Sequence, residues 1–221
     1  MYEVAIEILC MLENNFYSAY IIGGYPRDKY LGIFSTDVDI CTNALPKDIL
    51  RIFDIKKENP SYGSIKIATK KFNYDITTYR REENYKNRKP ETITYVNNLI
   101  DDIKRRDFTI NALCMNSDGV IIDLLDATRD LENRIIRVIG DTKQKLTEDP
   151  LRILRAIRFS IVLDFKLDKE IKDFISNNRS IIKTLSYTRK KEELEKILVS
   201  KKAEEGLKYL KEAGEKFGLP V

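Results

Sequence analysis

The stretch IIGGYPRDKYLGIFSTDVDI, residues 21–40, decides the fold prediction. Its first residues end a short buried strand, Ser18–Ile22, and Gly23-Gly24 form the turn that follows. A short helix comes next, and the alternating stretch Thr36–Cys41 predicts a second strand. The order of strand, glycine turn, helix and acidic strand indicates a site for phosphate and metal.

Asp37 and Asp39 are separated by one residue, so in a strand both carboxylates point to the same face. Neighbouring carboxylates repel each other unless a cation lies between them, and ligation by oxygen suits Mg²⁺, with Mn²⁺ as the alternative. We predict that Asp37 and Asp39 are metal ligands and that all three of Asp37, Asp39 and Asp75 are catalytic. Asp75 comes from a further predicted strand, Phe72–Tyr79. Taken alone, the pair also fits a solvent-facing strand edge with no site.

Gly23 and Gly24 precede a helix start, where backbone amides and the helix dipole bind phosphate. Arg27 follows one turn later and adds a charge-assisted contact to the same phosphates. The alternative for the two glycines alone is an ordinary turn between a strand and a helix.

Composition excludes several classes of protein. The chain has 221 residues with a net charge of +4 and no histidine, so Ser-His-Asp and Cys-His catalysis are excluded. The three cysteines lack CxxC spacing, which predicts reduced thiols in a cytoplasmic protein. The longest apolar runs are too short to cross a bilayer, so we expect no membrane partner.

The rest of the chain divides into an α/β part of about 140 residues and a helical part. The predicted elements are a helix over residues 2–14, a helix from Leu45 to about Phe53, strands Ser64–Thr69 and Phe72–Tyr79 joined at Lys70-Lys71, a mobile polar loop from Arg80 to Pro90, a helix over Lys104–Met115, and a strand over Val120–Asp123. From Lys143 onward only helices are expected, with breaks near Ser176–Arg179 and Ser186.

Basic residues recur in TEDPLRILRAIRF, residues 147–159. Asp149, Arg152, Arg155 and Arg158 follow one another at intervals of three, which on a helix predicts a slanted ridge of polar side chains. A basic amphipathic helix with its leucines and isoleucines packed inward is the simpler account, and both descriptions can hold together.

Taken with GGYPRDKYLG and DVD, three further stretches carry a family resemblance: RRDFTINAL (105–113), IIDLLDATRDLENRIIRVIGD (121–141) and TEDPLRILRAIRF. The chain resembles the tRNA nucleotidyltransferase and poly(A) polymerase branch of the polymerase-β-like nucleotidyltransferases, in the family's order from about residue 20 to 200. The resemblance implies an α+β polymerase-β-like head with a mixed sheet over residues 1–140. An all-α neck that recognises the base follows over residues 141–221.

The resemblance also implies roles for particular residues. Asp107 would recognise the ribose, with Arg106 and Asn111 beside it on one helix. Asp149 and Arg152 would pair with the incoming base, while Arg155 and Arg158 would bind its triphosphate. The polar loop 80–90 resembles the family's flexible loop, and the helix carrying Arg189, Glu193 and Lys196 resembles its last motif, a support for the base-recognition helix.

The function that the resemblance implies is template-independent addition of C and A to the 3′ end of tRNA, with CTP and ATP as donors. Poly(A) polymerase, or an enzyme that adds CC only or A only, is the alternative in the same class. A non-catalytic RNA-binding remnant is the alternative from another class. Family members continue into body and tail domains, whereas this chain stops at Lys216–Val221, so we expect a truncated or a naturally minimal form.

Overall fold

The computed structural model describes residues 1–35, 37–55, 62–68, 73–86 and 88–199, together with residues 204 and 208. Within them the helices are α1 (Tyr2–Asn14), α2 (Gly24–Tyr30), α3 (Pro46–Ile52), α4 (Leu99–Lys104), α5 (Ala127–Glu132), α6 (Thr142–Glu148), α7 (Leu151–Leu163), α8 (Lys169–Asn177) and α9 (Tyr187–Leu198). The strands are β1 (Ala19–Ile22), β2 (Asp39–Thr42), β3 (Ser64–Ala68), β4 (Asn73–Thr78), β5 (Arg80–Lys86), β6 (Lys89–Tyr95), β7 (Cys114–Met115), β8 (Ile121–Ile122), β9 (Ile135–Ile136) and β10 (Lys166–Leu167). The expectations for Lys70-Lys71 and Lys216–Val221 fall outside the described residues.

The chain forms two compact units. The first comprises Met1–Asn84, Pro90–Arg106 and Ile110–Thr128, and the second comprises Tyr85–Lys89, Asp107–Thr109 and Arg129–Val221. A boundary between head and neck after residue 140 stays a prediction.

A mixed sheet organises the first unit. Its strand order over the described residues is β3-β4-β2-β1-β7-β8, in which β2 and β4 run parallel and the other neighbours run antiparallel. This arrangement of helices on a mixed sheet confirms the predicted α+β class.

One face of the sheet packs on helices. Ile21, Ile40 and Ile76, from three adjacent strands, join the buried cluster that includes Leu9 of α1 and Ile49 of α3. Because side chains alternate along a strand, the residues next to these isoleucines point to the opposite face. That second face carries the candidate site residues of β2 and β4.

The second unit is mainly helical, but it contains a pair of two-residue strands. β10 runs parallel to β9, with Lys166 opposite Ile135 and Leu167 opposite Ile136. The expectation of no strand after Lys143 is therefore wrong. The chain turns back because Asp164, the residue after α7, adopts the left-handed conformation with φ of 60°. Two residues are too few for a periodic signal in sequence.

The predicted helix over Lys104–Met115 is wrong. α4 ends at Lys104, a 3₁₀ turn covers Thr109–Asn111, and β7 pairs with β1 and β8. Pairing with distant strands overrides the local preference for a helix in this segment.

The predicted loop over residues 80–90 is also wrong where the structure describes it, because β5 and β6 form a two-stranded sheet that includes residues 80–86 and 89–90. Residue 87 falls outside the described residues. Asn84 Nδ2 donates a hydrogen bond to Thr92 Oγ1 across the strands at 3.2 Å.

In the part of the chain that the structure describes, no helix has the length and apolar character needed to cross a membrane.

Candidate active site

Two carboxylates of adjacent strands lie side by side on the second face of the sheet, and both residues are partly buried. The parallel register of β2 and β4 pairs Asp39 with Asp75, so their side chains share one face. Asp37 lies two residues before β2 and is exposed. β2 begins at Asp39, so Asp37 lies outside the strand, and strand pleating does not fix its side chain beside Asp39. The start of the predicted strand at residue 36 falls outside the described residues.

The carboxylates of Asp39 and Asp75, which we call the acidic edge, suit a hard cation such as Mg²⁺. Asp75 Oδ1 is buried and has no hydrogen-bond partner, which is costly for a carboxylate unless a cation or a donor reaches it. Lys66 of β3 is the cross-strand neighbour of Asp75. No group of three His, Cys, Asp or Glu side chains is gathered into a metal site among the described residues. The protein thus offers two carboxylates from adjacent strands, and Asp37 lies close by in sequence.

The Gly23-Gly24 turn passes directly against this acidic edge. Gly23 has φ of +88°, and a Cβ atom there would lie 3.6 Å from Asp39 Oδ2. A Cβ atom on Gly24 would lie 3.5 Å from Arg27 Nη2. The turn therefore combines a backbone conformation that favours glycine with close approach to both a carboxylate and a guanidinium.

Arg27 is held by two side chains. Its Nε donates to Asp28 Oδ1 at 2.8 Å, and its Nη1 donates to Asn111 Oδ1 at 2.6 Å. All three residues are buried. The structure thus brings together Arg27 and Asn111, two predicted site residues far apart in sequence. Asp28 fixes the guanidinium of Arg27 but was not among the site residues predicted from the sequence. Its position directly after Arg27 is the sequence feature that could have indicated this contact.

Arg106 lies two residues after the end of α4, so it does not share a helix with Asn111 as predicted. Its Nη2 donates to Asp102 Oδ2 at 3.0 Å. Asp102 is fully buried and was also missed from the sequence, because an acid within a short charged helix carries no distinctive pattern.

In the second unit, Asp107 and Arg155 form a close ion pair. Arg155 donates to Asp107 Oδ2 through Nε at 2.7 Å and through Nη2 at 2.6 Å, while Asp107 Oδ1 accepts from the Phe108 backbone N–H at 2.8 Å. The Asp107 carboxylate raises the pKa of Arg155 above its ordinary value. The predicted ribose residue and a predicted phosphate residue therefore contact each other.

The predicted base-recognition pair is arranged differently from the sequence expectation. Asp149 precedes α7 and caps the end of α6, so the ridge on α7 consists of the three arginines alone. Arg152 is buried and donates through Nη1 to the Lys145 carbonyl at 2.7 Å. The Tyr85 ring lies 5.6 Å from its guanidinium carbon.

A cavity of about 950 Å³ lies near this pair within the second unit. Its lining includes Tyr85, Arg88 and Glu148. Arg88 Nη1 is buried without a hydrogen-bond partner, and Asp149 Oδ1 lies 4.0 Å from it. Glu148 and Pro150, the neighbours of Asp149 in sequence, thus line a space with aromatic and charged walls.

The last predicted motif contacts the arginine ridge. Glu193 of α9 is buried and accepts from Arg158 Nε at 2.7 Å and from Lys196 Nζ at 2.9 Å. Arg189 pairs instead with Glu192 at 3.1 Å. Glu193 therefore supports α7 through its ion pair with Arg158, and Lys196 holds Glu193 in place. The ion pair of Arg189 lies within α9 and does not involve α7.

The mixed sheet, with a glycine turn against paired aspartates on adjacent parallel strands, defines a class: the polymerase-β-like nucleotidyltransferase fold. Residues 19–137 match the family described as Poly A polymerase head domain, and residues 164–214 match the one described as Probable RNA and SrmB- binding site of polymerase A. The chain belongs to the Poly A polymerase head domain family. Nucleotidyltransferases of this family depend on a metal.

Individual relatives agree with the family. The chain is 37% identical over 215 residues to a CCA-adding enzyme of Levilactobacillus brevis, covering 96% of this chain and 54% of that protein. The crystal structure of the Bacillus stearothermophilus CCA-adding enzyme in complex with CTP is 34% identical, with a TM-score of 0.82, over 96% of this chain and 52% of that chain.

A second solved structure is a tRNA nucleotidyltransferase complexed with a primer tRNA and an incoming ATP analog. It is 28% identical, with a TM-score of 0.77, over 95% of this chain and 62% of that chain. The chain spans about half the length of the curated relatives it matches.

Proposed function

We propose that this chain adds C and A nucleotides to the 3′ end of tRNA without a nucleic-acid template, using CTP and ATP. The observation that carries the proposal is the parallel register of Asp39 and Asp75 beside the Gly23 turn, with Asp75 Oδ1 buried and unpartnered. The relatives named as CCA-adding enzymes support the choice of reaction.

In this reaction the 3′-hydroxyl oxygen of the RNA bonds to the α-phosphorus of the donor nucleotide, and the bond to pyrophosphate breaks. Asp37 and Asp39 would hold the metal, with Asp75 as the third acid. A bound Mg²⁺, with Mn²⁺ as the alternative, supplies activation of the hydroxyl and neutralisation of the leaving pyrophosphate.

The remaining residues bind and select the nucleotide. Backbone amides at Gly23-Gly24 and the guanidinium of Arg27 suit the triphosphate, since the turn precedes a helix and Arg27 is pre-oriented by Asp28. Asn111 belongs to the same nucleotide-binding set, and its buried hydrogen bond from Arg27 supports that place. Arg106 is included in the set because of the family resemblance of the stretch RRDFTINAL.

The second unit supplies recognition of ribose and base in this proposal. Asp107 accepts a hydrogen bond from the ribose 2′-hydroxyl, and Asp149 with Arg152 reads the base edge. C and A both present an exocyclic amino donor that a carboxylate can accept, whereas G and U present a different edge. Arg155 and Arg158 add positive charge for the triphosphate.

A cytoplasmic location is part of the proposal. It is supported by free thiols at Cys10, Cys41 and Cys114, since disulfides persist mainly in oxidising compartments.

The test offers tRNA that ends before CCA together with CTP, ATP or both, in Mg²⁺ at low salt, and sequences the products. Low salt is chosen because phosphate contacts weaken steeply as salt rises. We expect CCA ends from the mixture and CC ends from CTP alone. Asp39→Asn should abolish incorporation, while Asp118→Asn, an exposed acid in the β7–β8 turn, should not.

Each other product identifies a different function. A ladder of A residues from ATP alone would indicate a poly(A) polymerase, and growth that stops at CC in the mixture would indicate a CC-adding enzyme. Incorporation of neither nucleotide, with tRNA still bound, would leave an RNA-binding protein without catalysis and would overturn the proposal.

A further inference from the structure

Five charged residues form one network in the first unit, where β5 meets the end of α4. They are Arg80, Glu82, Asp102, Arg105 and Arg106. At its centre the Asp102 side chain is 0% exposed, so it contacts only protein. This network contains one residue of the proposed nucleotide site, Arg106.

Both oxygens of Asp102 are engaged. Oδ1 accepts from Arg105 Nε at 2.8 Å and from the Arg80 backbone N–H at 3.2 Å, and Oδ2 accepts from Arg106 Nη2 at 3.0 Å. Burial alone would raise the pKa of the Asp102 carboxyl, but the adjacent Arg106 and Arg105 guanidinium groups bring the pKa below its ordinary value. Asp102 is therefore an anion at neutral pH.

Glu82, the second acid of the network, accepts hydrogen bonds from Arg80 and Arg105. Glu82 Oε1 accepts from Arg80 Nε at 2.7 Å and from Arg105 Nη1 at 3.1 Å. Three guanidinium groups thus face two carboxylates, which leaves one positive charge in excess among these five side chains. Arg106 has its ion pair with Asp102, while its Nε is buried and has no hydrogen-bond partner.

We propose that Asp102 is a positioning residue, which holds the Arg106 guanidinium in the orientation that binds the nucleotide. The inference rests on the proposed function, in which Arg106 belongs to the nucleotide-binding set. A guanidinium is planar, so fixing Nη2 against a carboxylate also fixes the directions of Nε and Nη1. Asp102 acts through Arg106, because solvent and ligand do not reach its own side chain.

A purely structural role for Asp102 makes a different prediction. In that case its contacts to the Arg80 backbone and to Arg105 would matter as much as its contact to Arg106. Loss of the carboxylate would then weaken nucleotide binding whether or not Arg106 is present. The single variant Arg106→Gln and the double variant Asp102→Asn/Arg106→Gln distinguish the positioning role from the purely structural role.

The experiment measures dissociation constants for CTP and ATP, with Mg²⁺ and without RNA, on the 221-residue chain. Asp102→Asn should weaken both by roughly tenfold or more, the effect of losing a hydrogen bond to a charged group. The matched control is Asp101→Asn. Asp101 is the preceding residue and pairs with the exposed Arg81 at 2.9 Å, so its loss should change binding less than about twofold.

The deciding comparison is between Arg106→Gln and the double variant Asp102→Asn/Arg106→Gln. If Asp102 acts through Arg106, both should bind nucleotide equally. If the double variant binds about tenfold more weakly than Arg106→Gln, the role is structural and the inference is wrong. This comparison still decides the matter if Asp102→Asn alone fails to fold, because the double variant removes both charges of the buried pair.

The failure of the inference is distinct from the failure of the proposed function. If wild-type protein binds neither CTP nor ATP, the proposed function is wrong. If wild-type protein binds both and Asp102→Asn binds them equally well, the proposed function stands and the positioning role is refuted.

Discussion

Replacing Asp75 with asparagine is expected to stabilise the protein without metal and to remove its stabilisation by Mg²⁺. Asp75 is paired with Asp39 in the parallel register of β2 and β4, and its Oδ1 is buried without a partner. The carboxylate is therefore unfavourable for folding until a cation reaches it. An asparagine of the same shape removes the charge, and with it the repulsion and the cation affinity.

The magnitude follows from the strand geometry. Neighbouring strands lie about 4.8 Å apart, and two unit charges near 5 Å repel by about 3 kcal/mol at an effective dielectric constant of about 20. Lys66, the cross-strand neighbour of Asp75 on β3, offsets part of this repulsion. A net gain of about 1 kcal/mol for Asp75→Asn corresponds to roughly 2–4 °C in Tm for a chain of this size.

The assay is thermal unfolding in EDTA and in Mg²⁺, followed by calorimetry or circular dichroism. With Mg²⁺ at about ten times its Kd, wild-type protein should gain about 1.4 kcal/mol by mass action, whereas Asp75→Asn should gain much less. Asp118→Asn, an exposed acid in the same unit, is the control and should respond to Mg²⁺ as the wild type does. A variant that is less stable than wild type in EDTA, yet gains as much from Mg²⁺, would show that Asp75 is a structural carboxylate and would refute the reasoning.

Three further predictions concern the turn, the ion pair and the support of the arginine ridge. Gly23→Ala should cost about 1–3 kcal/mol, because φ is +88° there, whereas Gly24→Ala, without a positive φ, should leave stability nearly unchanged; equal losses in urea denaturation would contradict this. Asp107→Asn and Arg155→Gln should each destabilise the fold, and the double variant should cost less than their sum by about 1–2 kcal/mol; strict additivity would show that the pair does not couple. Glu193→Gln should cost about 2 kcal/mol at neutral pH, because it leaves the partly buried guanidinium of Arg158 without its carboxylate partner. Burial raises the pKa of Glu193, but its arginine and lysine partners lower it further, so the pKa lies below its ordinary value of 4.5. The carboxylate's contribution is therefore full above pH 4.5 and is lost as pH falls through the folded-state pKa. Urea denaturation from neutral pH to about pH 3 should show the difference between variant and wild type shrinking, and a difference independent of pH would contradict the assignment.

Local patterns were the predictable part of the candidate site. Gly23-Gly24 and Asp39 lie within one strand–turn–helix–strand unit, whose order can be read from alternation and from turn residues. In the structure, a Cβ atom added to Gly23 would lie 3.6 Å from Asp39 Oδ2, so the turn and the acid are neighbours. Short-range geometry of this kind follows from the sequence, because few residues separate the interacting groups.

Two segments were mispredicted because strand pairing is not a local property. The stretch over residues 80–90 is almost wholly polar, yet its residues 80–86 and 89–90 belong to the paired strands β5 and β6. Around Thr109, the backbone N–H bonds to the Arg137 carbonyl at 3.0 Å, and this interrupts the helix that periodicity predicts. In both segments a distant or paired partner outweighs the local propensity.

The amino-acid sequence by itself determined the α+β class, the family resemblance and the residue types that the proposed site uses. Only the tertiary structure decided which of them meet: Asp39 with Asp75, Arg27 with Asn111, and Asp107 with Arg155. It also revealed that Asp102, the proposed positioning residue, is buried and pairs with two arginines. The physical reason is that a strand register or a buried ion pair joins residues tens of positions apart, and each partner alone looks like an ordinary charged residue.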